Sequence, residues 1–270
     1  DVYKRQAEQY LAHETLPKSG TDDVLGVQLA QILSEASLSL FVRQAAAIAL
    51  KKYVRKRWSI FFDTFTQDMV VNGIVQTVDA TPVEAKEHIR TSLLACLCDA
   101  EPKVRSQASD ILSLISSCDF PDHFPQLLPT LQAYLHSYTE QDAHAAYKVH
   151  GAMKFLLDLV HVELDENQLL MVAQQLVPLL QGIVSSSSDW ITPHTRARCI
   201  NVFHQCLISL YMAKDTYVDT VHMVTTHYLP PWLQGMQVLM SPDFFNSANW
   251  QEPVTWAVSY THLRAHETKA

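Results

Sequence analysis

Three strings in this chain place a proline at one register of a leucine-rich stretch: Pro129-Thr130-Leu131-Gln132, Pro178-Leu179-Leu180-Gln181 and Pro231-Trp232-Leu233-Gln234. The prolines stand 49 and 53 residues apart. A proline in a helix interior costs ~3 kcal/mol relative to alanine, because it removes a donor and crowds the preceding turn. Its recurrence at one register therefore predicts that each of these helices bends at the same point, which would help neighbours stack around a curve. The period lies slightly above the ~40–47 residues of HEAT and armadillo units, so the strings read as the second helices of successive helix pairs. The first helices carry a looser echo. Val42-Arg43 is followed by Ala46, Val104-Arg105 by Ala108, and Thr195-Arg196 by Cys199, with a small residue where two helices would cross.

The rest of the pattern is helical almost throughout. Apolar residues recur at helical spacing over 38–58, 83–99, 102–118, about 121–136, 142–161, 166–184, 192–211 and 215–240. Only six glycines occur in 270 residues, too few for the turns of a sandwich or a dinucleotide-binding fold. The expected fold is all-α: a right-handed α-solenoid of about five HEAT-type helix pairs. Between Ser59 and Ala80 the helical register lapses, and 58–81 reads as an inserted loop, a strand-like excursion or an assembly error. The HEAT-type repeats then continue over 82–257.

Both ends look foreign to this pattern. Residues 1–6 and 258–270 resemble sequencing-adaptor read-through, so they read as an artefactual leader and tail. His262 and His266 stand four apart beside Glu267, yet no glutamate lies between them and no third ligand follows, so no zinc site is assigned.

A net charge of −8 argues against direct nucleic-acid binding, which needs clustered Lys and Arg to replace counterions, and it favours basic partners. No apolar run is long enough to span a membrane, so no membrane insertion is expected. The five cysteines read as reduced core thiols. Cys96 and Cys98 point about 200° apart around a helix and do not converge on a metal. Asp158, Glu163, Asp165 and Glu166 bracket a helix–helix turn, where capping accounts for them. With no nucleophile elbow, phosphate loop or other catalytic string, no enzyme activity, catalytic residue, metal or cofactor is expected.

The most specific string runs from Arg43-Gln44-Ala45-Ala46 through Leu50-Lys51 to Trp58. Ala45, Ala46 and Ala49 permit close helix approach, Leu50 and Val54 fill a core, and the cations from Lys51 to Arg57 offset the helix dipole. With Arg43, Gln44, Ala46, Leu50, Lys51 and Trp58 as its signature, the string resembles the second-repeat helix of the importin-β N-terminal domain. On that resemblance 7–57 holds the N-terminal-type repeats, the first partial and the second beginning. Asp119-Phe120-Pro121 through Leu127 resembles the turn at the third repeat of that superfamily. Val149–Lys154 and Thr195–Arg198 are similar to the importin nine branch, and the similarity covers about residues 7–215.

The resemblance implies a nuclear transport receptor shuttling between cytoplasm and nucleus. It implies three kinds of partner: a Ran-type small GTPase in its GTP form, basic cargo of histone or ribosomal type, and Phe-Gly nucleoporins. The GTPase is expected on the second helices, at Asp23, Gln28, Gln31 and Glu35 in 22–35 and at Glu84, Glu87, His88 and Thr91 in 83–98. The latter four lie opposite the stripe of Ile89, Leu93 and Leu97. The competing reading is a HEAT-repeat scaffold that organises a protein complex and takes no part in transport.

Overall fold

The computed structural model describes residues 24–239 apart from short stretches at 61, 63, 66–67, 72–73, 78–79, 141–142, 162–163, 187, 189, 213–214 and 217. Both foreign-looking ends, Asp23 and 240–257 lie outside the described residues. The described chain forms two compact units, 1–124 and 125–270.

In the first unit, α1 (Val24–Ser34), α2 (Leu40–Arg57), α3 (Val83–Cys96) and α4 (Pro102–Asp119) form two layers. Helix α1 packs against α2 and α3, α2 also against α4, and α3 against α4, so α1 and α3 make one layer and α2 and α4 the other. The sequence dictates where each begins. Alanine-rich α2 is built from good helix formers and carries Arg55, Lys56 and Arg57 in its last turn, where cations meet the dipole. Pro82 precedes α3, which has Glu84 in its first turn, and Pro102 opens α4 at a position whose N–H needs no partner. Leu33, Leu50, Ile89, Leu93, Leu97 and Leu112 are fully buried between the layers, each contributing roughly 1.5–3 kcal/mol.

The second unit contains α5 (Leu127–His136), a 3-10 turn (Ser137–Thr139), α6 (Ala143–His161), α7 (Glu166–Ser185), α8 (Pro193–Met212), α9 (Val218–Met223), a π turn (Val224–Tyr228) and α10 (Leu229–Leu239). Helix α7 packs on both α5 and α10, the helices carrying the proline strings, while α6 packs on α8. Asp165 starts α7 with a reciprocal capping box to Gln168, at 2.8 Å in each direction.

Two expectations need correction. The prolines share a sequence register but not a structural position. Pro129 lies in the first turn of α5, whose N–H groups have no helical acceptor, and only Pro178 sits inside an α-helix. Pro231 follows a π turn that widens the coil ahead of the Pro230-Pro231 pair. The helix expected from about 121 begins at Leu127, because the turn through a cis Phe120–Pro121 bond occupies the intervening residues. Of the alternatives for 58–81, the structure gives the strand-like one. Strands β1 (Asp68–Val71) and β2 (Ile74–Thr77) pair antiparallel from Asp68↔Thr77 to Val71↔Ile74, leaving Asn72-Gly73 between them, the dipeptide that best suits a two-residue hairpin.

The echo in the first helices has a use that spacing alone did not reveal. Its arginines donate to carbonyls in the last turn of the preceding helix or in the turn that follows it. Arg43 Nε donates to Leu33 O at 2.8 Å, Arg105 to Ala100 O at 2.9 Å just beyond α3, and Arg196 to Val184 O at 2.6 Å and Ile183 O at 3.3 Å. The repeated arginine therefore fixes the angle at which one helix hands over to the next.

Gly26 marks the closest approach in the first unit. A Cβ there would lie 2.5 Å from Tyr53 Cε1 and 3.0 Å from Ile89 Cδ1. Tyr53 cannot easily retreat, since its hydroxyl is 3.0 Å from Thr81 Oγ1, which in turn donates to Arg57 O at 2.8 Å. Gly→Ala within a helix normally stabilises by up to ~1 kcal/mol. Here overpacking wins, and Gly26→Ala is expected to destabilise the chain by about 1–3 kcal/mol in urea unfolding. A neutral or stabilised variant would mean that α1 does not pack this closely.

Candidate functional site

Among the expected GTPase-facing residues, Gln28, Gln31 and Glu35 are exposed along α1 and just past its end, and Glu84, Glu87, His88 and Thr91 are exposed along α3. The spacings i, i+3, i+4 and i+7 put each set on one helix face. Because α1 and α3 pack side by side, the two stripes belong to one layer. Opposite them, Leu29, Ala30 and Leu33 of α1 and Ala85, Ile89, Leu93 and Leu94 of α3 are buried. A rigid apolar underside thus presents a polar, net acidic outer face.

Two residues of that face are already engaged. Glu35 Oε1 accepts from Ser37 Oγ at 2.7 Å and Ser37 N at 3.1 Å, which holds its carboxyl below the usual carboxylate range. Glu87 Oε2 accepts from Arg90 at 3.2 Å. Gln28, Gln31, Glu84, His88 and Thr91 remain as exposed groups on the two helices.

Behind the α3 stripe lies a buried polar node. Asp119 Oδ2, at the end of α4, accepts from Arg90 at 2.7 and 3.2 Å and from Trp58 Nε1 at 2.9 Å. Arg90 and Asp119 are each about 95% buried and Trp58 fully so. The Arg90 guanidinium also lies 5.7 Å from the Trp58 ring centroid and 5.3 Å from that of Phe124, and the Lys86 ammonium lies 5.1 Å from Trp58. Burial pushes the Lys86 pKa down, opposed by the Asp119 charge. The node therefore ties together the end of α2, the middle of α3 and the end of α4. A second buried arginine, Arg43, forms an ion pair with Asp99, whose Oδ1 also accepts from Glu101 N at 2.8 Å ahead of α4.

Five of the six signature residues fall into structural roles, and Gln44 is half-buried on α2. Ala46, Leu50 and Trp58 are core, Arg43 is a buried cap, and Lys51 reaches Asp110 of α4 at 3.4 Å. The sequence pointed to Trp58 and to the Asp119-Phe120-Pro121 turn as separate features, and the structure shows them hydrogen-bonded. Arg90 was missed. Its one sequence signal was a cation set among the apolar positions Ile89 and Leu93 of α3.

Among the described residues no group of three or more His, Cys, Asp or Glu is placed to hold a metal. Burial raises the Cys96 and Cys206 thiols to about 12 and pushes Cys199 higher still, so none is a ready nucleophile. No helix among the described residues is long and apolar enough to cross a membrane.

Residues 12–99, which contain α1, α2 and α3, match the family model of the importin-beta N-terminal domain. Through this segment the chain is similar to the importin-β superfamily. It is 28% identical over 203 residues to importin subunit beta-5 of Schizosaccharomyces pombe, covering 74% of this chain and 19% of that protein. It is 25% identical over 185 residues to importin-9 of Drosophila melanogaster, covering 68% of this chain and 16% of that protein. Drosophila exportin-2 is 26% identical over 102 residues, 38% of this chain and 9% of that protein. Among solved structures the chain resembles Lph2 of S. cerevisiae, titled a bidirectional nuclear transport receptor. The TM-score is 0.56 at 16% identity, covering 86% of this chain and 24% of that one, a likeness that bears on the solenoid fold alone. The chain thus spans about a fifth or less of the length of these curated relatives.

Removing the Asp119 charge tests the node. Asp119→Asn keeps an oxygen for Trp58 but leaves the buried Arg90 cation short of its main counter-charge, at an expected cost of about 3 kcal/mol or more. Equilibrium denaturation measures this directly. A loss below about 0.5 kcal/mol would show that water or Glu87 satisfies Arg90 instead.

Proposed function

We propose that this importin-β-type chain belongs to a nuclear transport receptor that takes up the GTP-bound form of a Ran-type small GTPase on the outer face of α1 and α3. One observation carries the proposal: the segment matching the importin-beta N-terminal domain contains both helices, and their exposed polar stripes lie in one layer on adjacent helices. An acidic face built on rigid helices suits a basic patch on a partner, since complementary charge speeds encounter and selects orientation. The same reasoning favours basic cargo of histone or ribosomal type for a chain carrying −8. Contacts with Phe-Gly nucleoporins and shuttling between cytoplasm and nucleus follow if the chain acts as its relatives' names indicate. The relatives include proteins named importins and one named an exportin, so the direction of transport is a separate question from GTPase binding.

The test is binding of the chain to Ran loaded with GTP or with GDP, alongside the double variant Gln31→Lys/Glu84→Lys. Glu87 is left intact because its carboxylate engages Arg90. The GTP form is expected to bind preferentially. The double variant should weaken it by roughly 1–2 kcal/mol, mostly through slower association, with the difference fading as salt is added. Equal binding of both nucleotide forms would contradict the receptor reading and favour a HEAT-repeat scaffold. Nucleotide discrimination with an unaffected double variant would keep the receptor and move the site.

A further inference from the structure

We propose that the outward face of α2 is a second docking surface, and that its partner is an acidic amphipathic protein segment carrying bulky apolar side chains. At 100° per residue, Phe41, Ala45, Ile48, Lys52 and Arg55 fall within a sector of about 80°, a single stripe along the helix. Phe41 is 80% exposed and Ile48 54%, with Val42 and Leu38 exposed beside them. A lone exposed apolar residue needs no explanation, but a contiguous group on one helix does. The opposite side of α2 already does the packing, through buried Arg43, Ala46, Ala47, Ala49, Leu50, Tyr53 and Val54. The outward apolar residues are not needed to hold the first unit together.

The stripe continues in cations. Lys52, Arg55 and Lys56 are exposed and make no ion pair among the described residues, whereas Lys51 is taken by Asp110 and Arg57 turns over the Tyr53 ring at 5.7 Å. Complementing the helix dipole gives a reason for cations at this end. It gives none for Phe41 and Ile48 at the other. Local positive charge on a chain of net −8 selects an acidic partner, and the apolar half requires that partner to bring hydrophobic side chains. Nucleic acid supplies the charge but no aliphatic groups. A lipid surface supplies both, but at different depths, whereas here the apolar and basic portions lie end to end along about 21 Å of one helix. A linear segment with apolar residues at one end and carboxylates at the other matches that order. Helices α1 and α3, which carry the acidic face, form the other layer of the unit, so the two surfaces do not compete for the same residues.

The experiment uses the full chain and a fluorescein-labelled 18-residue peptide with Phe and Leu at helical spacing in one half and Glu in the other, read by anisotropy. Parallel probes are the same peptide with Glu replaced by Lys, an 18-nucleotide single-stranded DNA, and phosphatidylserine-containing vesicles. Two variants, Phe41→Ser/Ile48→Ser and Lys52→Gln/Arg55→Gln, are checked for unchanged unfolding by circular dichroism. The acidic peptide is expected to bind, each variant to weaken it about tenfold or more, and the Gln variant to flatten its salt dependence. The Lys peptide should not bind. The proposal is overturned if the acidic peptide does not bind or binds both variants as well as the parent. It is likewise overturned if DNA, vesicles or self-association, rather than the peptide, depend on these four residues.

Discussion

Burying an arginine and an aspartate costs several kcal/mol per ion unless each finds a close partner and further hydrogen bonds. Arg90 and Asp119 satisfy both conditions in a pocket walled by Trp58 and Phe124. The carboxylate takes two donors from the guanidinium and one from the indole, while two aromatic faces flank the cation. Three helices contribute: α3 and α4 bring the two charges, and the end of α2 brings the indole that gives the carboxylate its third donor. The node acts as a geometric condition on the first unit: α2 must end at Trp58, α4 must end at Asp119, and α3 must present Arg90 between them.

That condition reaches the surface. Glu87 lies one turn from Arg90 and is bonded to it, so the α3 stripe is held in rotation about its axis by the buried pair. The neighbouring α1 stripe is held by the contact of Gly26 with Tyr53 and Ile89. A surface that is to recognise a folded partner through two adjacent helices needs both rotations fixed, since one left free to turn would lose the energy of ordering it on contact. The layering also separates chemistries: an acidic polar face on α1 and α3, an apolar and basic stripe on α2.

Much of this could be read from the residues. Helical periodicity marked nearly every helix to within a few positions, and six glycines left little room for any other class. The alanines of α2 announced close packing, and Ala46 and Ala49 are buried as their pattern implied, whereas Ala45 is half-buried on the outward side. What stayed hidden were features set by distant partners. Nothing local to Arg90 says that its counter-charge stands 29 residues ahead, and nothing local to Arg43 or Arg196 says that they reach the last turn of the preceding helix. The proline strings misled in the opposite direction, because the same letters serve a first turn in α5, an interior in α7 and the exit from a π turn before α10. The hairpin at 68–77 was only one of several open readings, because four-residue strands are too short to show their alternation.

The account rests on the face formed by α1 and α3 being where a GTP-loaded Ran-type GTPase docks. Hydrogen–deuterium exchange of the chain with and without that complex tests this directly, because it reads backbone protection in each helix without altering a residue. The predicted result is slowed exchange across Val24–Ser34 and Val83–Cys96 with the GTP form and not the GDP form. Unchanged exchange in both helices, with protection confined to residues 127–239 or absent, would contradict it.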